Sequence, residues 1–263
     1  MTAQTLTKLV EAISVPHVVA FFLVLARLTP LFIVAPGFSS QMLIPRVRSV
    51  LAVGLAFGLT PLAARGQTFN TDLLAILPLL IENVLVGLAL AYCVACVFAA
   101  IEGAGVLADS FAGFSFGQTV DPVSGNPGGA LTNLYTMVGL VLFLVIGGDA
   151  WTLRGLTATF NAIPIGRSVL VKPMSGFVVS AFESVFVGAI EIVAPLMLAL
   201  VISDIAFGMV SRVVPQLNVF AVGFPLKVGV ALIVVGVSLP FVGGWMTSQL
   251  QDSVSTAVAA LHI

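Results

Sequence analysis

Six long apolar runs constrain this chain more than any other feature of its sequence. They lie at about residues 12–36, 49–64, 73–101, 130–148, 173–203 and 228–250, and the second, fourth and sixth contain no Asp, Glu, Lys or Arg. About 20 apolar helical residues cross a hydrocarbon layer of roughly 30 Å. The composition points the same way, with 59% hydrophobic and 8% charged residues, where soluble domains have about 45–50% and about 25%. A chain of 263 residues with this makeup lacks the polar surface to cover a water-soluble fold. A cytosolic enzyme and a disordered chain are therefore excluded. Ten Lys and Arg against eleven Asp and Glu leave no basic face for nucleic acid. The reading is an all-α polytopic membrane protein, one membrane domain over residues 1–263, in contact with lipid.

The runs are uneven. As helices, residues 73–101 would be about 43 Å long and residues 49–64 about 24 Å. Such a mismatch suits helices packed mainly against protein rather than six uniform lipid-facing spans. The first run follows Lys8 and Glu11, lacks a small-residue cleavage site and leads into Arg27, so a retained helix is expected. With the N-terminus inside, Lys8, Arg65, Arg154, Arg167 and Lys172 fall on one side and Arg46, Arg48, Arg212 and Lys227 on the other. This balance leaves the orientation undecided by the positive-inside rule.

Arg27, Glu82, Glu183, Glu191 and Asp204 interrupt or border the apolar runs. A charge at a membrane-helix centre costs at least about 2.5–3.5 kcal/mol, so each of these needs a compensating environment. Glu183 and Glu191 are eight residues apart and point within about 80° of each other on an ideal helix. One reading is a proton or cation path. The other is packing, with the charges buried against arginines or backbone donors of neighbouring helices or subunits. The lack of a dense Asp, Glu and His relay favours packing. Gly54 and Gly58, and Gly229, Gly236, Gly243 and Gly244, are small residues that permit close helix approach in an assembly.

Residues 102–129 read EGAGVLADSFAGFSFGQTVDPVSGNPGG, with seven glycines and two prolines, and argue against a continuous helix. Phe111, Phe114 and Phe116 stand among small residues, with Gly113 and Gly117 beside them. Three such aromatics do not suit a purely aqueous loop. Bulky apolar rings on a glycine-rich backbone suit a seal that can move aside, and a re-entrant packing loop is the alternative. Further on, Pro215 and Pro225 are expected to break the helix on either side of a turn. In that turn Gln216 and Asn218 offer amides to a neighbouring backbone. Phe220 belongs to the same element, and Lys227 is expected to pair with an acid or a helix C-terminus. The turn would set the last two runs as a hairpin.

No catalytic or metal motif accompanies these features. Cys93 and Cys96 have the CxxC spacing but sit inside an apolar run, where two small residues on a membrane helix are the plainer reading. His17 and His262 are the only histidines, and no HExxH, phosphate loop or GxSxG occurs. Neither cofactor, metal nor catalytic residue is expected.

The stretch PQLNVFAVGFPLK, Pro215 to Lys227, resembles the C-terminal signature of the FliR family of flagellar type III export membrane proteins. Three other stretches resemble that family in order and spacing. RLTPLFIVAPGFSSQMLIPRVRSVLAVGLA carries a PRVR turn at Pro45 to Arg48. EGAGVLADSFAGFSFGQTVDPVSGNP forms the central segment. LVLFLVIGGDAWTLRGL is followed by IPIG at Ile163 to Gly166. Asp149 departs from the pattern, which has a histidine after the glycine pair.

The resemblance implies a non-enzymatic, pore-forming subunit of the flagellar export gate, in the inner membrane at the flagellar basal body. It implies bent helical hairpins assembled with FliP and FliQ, further partners FlhB and FlhA, and unfolded flagellar proteins as export substrates. It also implies that the central segment plugs the closed pore. The injectisome homologue SctT shares PQLNVF, while VGFPLK is more flagellar in character. A small secondary transporter built on Glu183 and Glu191 is a further alternative. An intramembrane enzyme would need a nucleophile with a base, or a metal cluster.

Overall fold

A computed structural model describes residues 15–39, 44–65, 67, 73–114, 129–166, 175–214 and 219–261. Among these residues the chain is helical and contains no strand. The helices are α1 (Val15–Val34), α2 (Pro36–Ser39), α3 (Pro45–Ala63), α4 (Leu73–Ala112), α5 (Ala130–Val145), α6 (Gly148–Ala162), α7 (Ser175–Val213) and α8 (Val219–Leu261). Five are long and apolar enough to cross a membrane, or six spans if α5 and α6 form one broken crossing. Five of the six apolar runs thus become membrane-length helices, and the fourth forms the 16-residue α5.

Several boundaries differ from the sequence reading. Helices α4, α7 and α8 have 40, 39 and 43 residues, each roughly 60 Å long and about twice the hydrocarbon thickness. Residues 102–112, expected to interrupt the helix, continue α4. Their glycines face neighbouring elements: a Cβ at Gly105 would stand 2.7 Å from Thr132 Cα, and one at Gly103 would stand 3.3 Å from Ala189 Cβ. There, glycine serves close packing rather than chain reversal. The Pro45–Arg48 stretch, expected as a turn, instead opens α3 with proline in its first turn, where the missing N–H has no helical partner to lose.

Pro225 also departs from expectation, because it lies inside α8 rather than at a break. It is the seventh residue of that helix, so its missing donor costs one hydrogen bond near the N-terminus. Membrane helices tolerate such a proline where neighbouring groups satisfy the freed backbone. Hydroxyls inside the apolar helices bond their own backbone, as in Thr60 Oγ1 to Ala56 O at 2.6 Å and Thr152 Oγ1 to Gly148 O at 2.7 Å.

The described chain divides into two compact units. The first comprises residues 1–95, 147–181 and 250–263. Ala20, Leu23, Val24, Leu28 and Leu31 recur at helical spacing and give α1 a fully buried stripe. Ala52, Ala56 and Ala63 of α3, Leu79, Leu90 and Cys93 of α4, and Leu156 and Phe160 of α6 belong to the same core. The close approach on α3 comes from these alanines; Gly54 and Gly58 face open space within the chain.

The second unit comprises residues 96–146 and 182–249. Phe98 of α4 meets Phe143 of α5 with ring centroids 5.3 Å apart. Gly188 of α7 leaves the space occupied by the Trp245 ring and the Ala100 methyl group. Much of its outer surface is apolar: Phe186, Ile190, Leu198 and Ile205 of α7, and Ile233, Val237 and Phe241 of α8, are exposed. A surface of this kind requires lipid or protein around it.

Candidate functional site

The first unit contains a buried polar cluster around Arg27. Arg27 lies on the apolar stripe of α1 with no solvent exposure. Its Nε donates to Asn83 Oδ1 at 2.9 Å. Nη1 donates to Thr159 O at 3.0 Å and Thr159 Oγ1 at 3.3 Å, and Nη2 donates to Ile163 O at 3.0 Å. Thr159 and Ile163 belong to the C-terminal turn and cap of α6, where the helix dipole is negative; Thr159 O also accepts the Ile163 N–H at 2.9 Å. The guanidinium also sits 4.8 Å from the centre of the Phe160 ring. Glu82, also buried, adds negative charge to the cluster. A Cβ at Gly87 would overlap the Arg27 carbonyl, so glycine is what lets the backbones of α1 and α4 meet there.

The second unit contains the described part of the central segment. Asp109 is 2% exposed. Its Oδ1 accepts from Leu131 N at 2.9 Å, and its Oδ2 accepts from Thr132 N at 2.8 Å and Thr132 Oγ1 at 2.5 Å. The carboxylate therefore caps α5, whose own N-cap, Gly129, has no side chain to do so. The backbone of Asp109 ends α4: its carbonyl accepts from Gly113 N and Phe114 N, both at 3.0 Å. Gly113 has φ +86°, the left-handed conformation that closes a helix through a six-to-one bond. Phe111 and Phe114 are half-buried, and the Phe114 ring meets Phe224 edge-on with centroids 6.0 Å apart. Phe116 and Gly117 lie outside the described residues.

The other candidate charges, Glu183, Glu191, Asp204 and Lys227, sit on α7 and α8. Lys227 Nζ forms an ion pair with Asp204 Oδ1. Trp245 Nε1 donates to Glu191 Oε2 at 2.9 Å. Glu183, Glu191 and Asp204 are exposed within the chain, so its own packing does not give them the burial expected of them. Pro215, Gln216 and Asn218 lie outside the described residues, as does the side chain of Phe220. Asp149 occupies the first turn of α6, where a carboxylate complements the helix dipole. Cys93 and Cys96 are buried and not joined in a disulfide. No group of metal-ligating side chains forms among the described residues.

Sequence reasoning did not assign roles to Asn83, Thr159, Asp109 or Trp245. Asp109 had a usable signal: an acid among small and apolar residues, in a stretch, residues 102–129, that holds Glu102 and Asp121 but no Lys or Arg. Such an acid must find backbone donors, and an uncapped helix start at Gly129 provides them.

The arrangement stabilises helix ends and joins helices; among the described residues it sets out no nucleophile with a base. Similarity to known proteins agrees. Residues 18–253 match the family described as bacterial export proteins, family 1. The flagellar biosynthetic protein FliR of Escherichia coli K12 is 29% identical over 84% of this chain and 85% of its own length. FliR of Bacillus subtilis 168 is 29% identical over 81% of this chain and 83% of its own. The surface presentation of antigens protein SpaR of Shigella sonnei is 24% identical over 80% of each chain. The chain is thus a membrane protein that belongs to the bacterial export proteins, family 1, a family of export-apparatus components rather than of enzymes.

Proposed function

We propose that the chain is a structural, pore-forming subunit of the flagellar type III export gate, located in the bacterial inner membrane at the flagellar basal body. The observation that carries this reading is the family match across residues 18–253 together with relatives named FliR. Helices near 40 residues long with exposed apolar faces support assembly with other membrane subunits, namely FliP and FliQ, with FlhB and FlhA as further partners. Unfolded flagellar proteins are the cargo and pass without chemical change. Phe111, Phe114 and Phe116, with Gly113 and Gly117, seal the closed pore. The Pro215–Lys227 element, with Gln216, Asn218 and Phe220, joins the last two helices to the assembly, and Arg27, Glu82, Glu183, Glu191 and Asp204 serve packing within and between subunits.

The test is expression of a tagged chain in a strain lacking its own copy. Restored swimming and co-purification of several small membrane proteins are expected. A stable, monodisperse monomer that leaves the cells non-motile would overturn the reading. An injectisome role is the second reading, because SpaR proteins also match, at 24–25% identity against 29% for FliR of Escherichia coli. Rescue of injectisome secretion without rescue of motility would favour it.

A further inference from the structure

We propose that Asp109 is a positioning residue that clamps together the two helix ends flanking the central segment, and that this clamp holds the seal shut. The inference rests on the sealing role proposed above for Phe111, Phe114 and Phe116. It comes from one residue acting on both ends. The Asp109 carbonyl receives Gly113 N and Phe114 N, both at 3.0 Å, and so ends α4. The carboxylate of the same residue receives Leu131 N at 2.9 Å, Thr132 N at 2.8 Å and Thr132 Oγ1 at 2.5 Å, and so begins α5.

Two glycines shape the contact. A Cβ at Gly129 would overlap the Asp109 carboxylate, and one at Gly105, a turn before Asp109, would stand 2.7 Å from Thr132 Cα. The backbones of α4 and α5 therefore touch along this turn, and glycine at position 129 opens the way for the carboxylate. An ionised carboxylate accepts three charge-assisted bonds at the positive end of a helix. Water would satisfy the freed N–H groups only after the two ends part, because Asp109 is 2% exposed. A local cap on α5 would satisfy the same N–H groups without tying α5 to α4. Capping and clamping are thus separable functions of one side chain.

The experiment uses the full assembled complex, produced in cells at the parent level, with cytoplasmic pH followed under an imposed proton gradient. Asp109→Asn presents an amide N–H₂ toward N–H donors, and is expected to raise the leak roughly tenfold with complex yield near the parent's. Asp109→Ala combined with Gly129→Ser gives α5 a local cap but no tether. It is expected to recover the yield lost in Asp109→Ala alone and still leak. Thr132→Val removes one of the three donors at nearly constant shape. It is the milder variant, expected to leak to a smaller degree, and is read in the same way if Asp109→Asn lowers the yield.

Loss of the leak on adding Gly129→Ser would reduce Asp109 to a cap and overturn the clamp. So would an assembled Asp109→Asn complex that seals like the parent. The triple glycine variant of Phe111, Phe114 and Phe116 is measured alongside. If it leaks while the Asp109 variants seal, the clamp fails and the aromatic seal stands. If none leaks, the sealing role fails and the clamp fails with it.

Discussion

Arg27 Nε donates to Asn83 Oδ1 at 2.9 Å, and Asn83 Nδ2 in turn donates to Leu79 O at 2.7 Å. This pairing orients the amide, which offers oxygen to the guanidinium and nitrogen to its own helix. With Thr159 and Ile163 accepting the other side of the guanidinium, α1, α4 and α6 are tied at one buried point. The cluster sets the register among three apolar helices that would otherwise be held by side-chain packing alone.

Arg27→Lys keeps the charge but replaces a planar fork with a single ammonium that cannot reach three directions at once. It is expected to destabilise the protein by about 1–3 kcal/mol. Arg27→Ala removes the charge and leaves Glu82 without it, and is expected to cost about 3–5 kcal/mol. Asn83→Ala should resemble the lysine variant, because it orphans one guanidinium N–H. Thermal unfolding of the purified complex ranks these variants. Equal midpoints for parent and Arg27→Ala would remove the cluster's structural role.

Gly87→Ala adds one methyl group directed at the Arg27 carbonyl. A backbone atom cannot rotate away, so α1 and α4 must separate. The expected cost is about 1–3 kcal/mol, with a matching fall in complex yield. Gly54→Ala serves as the contrast, since nothing stands within 4 Å of that added methyl group in the chain. If it lowers complex yield while the isolated chain is unaffected, a partner helix covers that face.

Much of this architecture was legible in the sequence, and the unread parts have physical causes. Each apolar run marks a helix because membrane-length helices satisfy their backbone internally and need only apolar side chains outside. Arg27 and Glu82 were visible as charges requiring compensation. Their partners were not, because Thr159 lies 132 residues from Arg27 and no local pattern encodes that distance. Asp109 looked like part of a glycine-rich interruption because glycine marks both chain reversal and close helix contact. Pro225 was misplaced because a single missing N–H near a helix start is compensated more easily in a packed membrane helix than in water.

Trp245 and Glu191 discriminate between a packing role and a proton path. Glu191 accepts the indole N–H at 2.9 Å, and a glutamine keeps a carbonyl acceptor there. Glu191→Gln is therefore expected to leave motility and export within about twofold of the parent, since neutral bonds of this kind contribute about 0.5–1.5 kcal/mol. A protonatable carboxylate essential to transport would show complete loss of export in the same variant. Secretion of flagellin into the medium is the measurement.

Asp204 and Lys227 join α7 to α8 by an ion pair in which Asp204 is about half exposed. Solvent screening limits such a pair to about 0.2–1 kcal/mol in an aqueous setting. Asp204→Lys and Lys227→Asp singly are expected to lower complex yield, and the double exchange to restore most of it. Failure of the double exchange to improve on either single variant would mean that one of these residues has its main partner in another subunit.

The aromatic cluster gives the most direct test of the proposed seal. Phe111 and Phe114 stand at the end of α4, and Phe114 rests edge-on against Phe224 at 6.0 Å. The segment's sequence contains no Lys or Arg, so neither headgroup anchoring nor salt bridges to cargo account for its aromatics. Packed phenylalanines exclude water, and a dewetted apolar constriction is a barrier to ions. Replacing Phe111, Phe114 and Phe116 together with glycine is expected to let ions through while leaving the complex assembled. Single replacements should leak less if the seal is shared. Because Phe114 also contacts α8, Phe224→Ala should mimic part of the Phe114→Gly effect by withdrawing the surface on which that ring rests. The readout is membrane conductance in cells carrying each variant at parent levels. A triple variant that assembles and seals as tightly as the parent would mean that these rings serve packing alone and that the barrier lies elsewhere in the assembly.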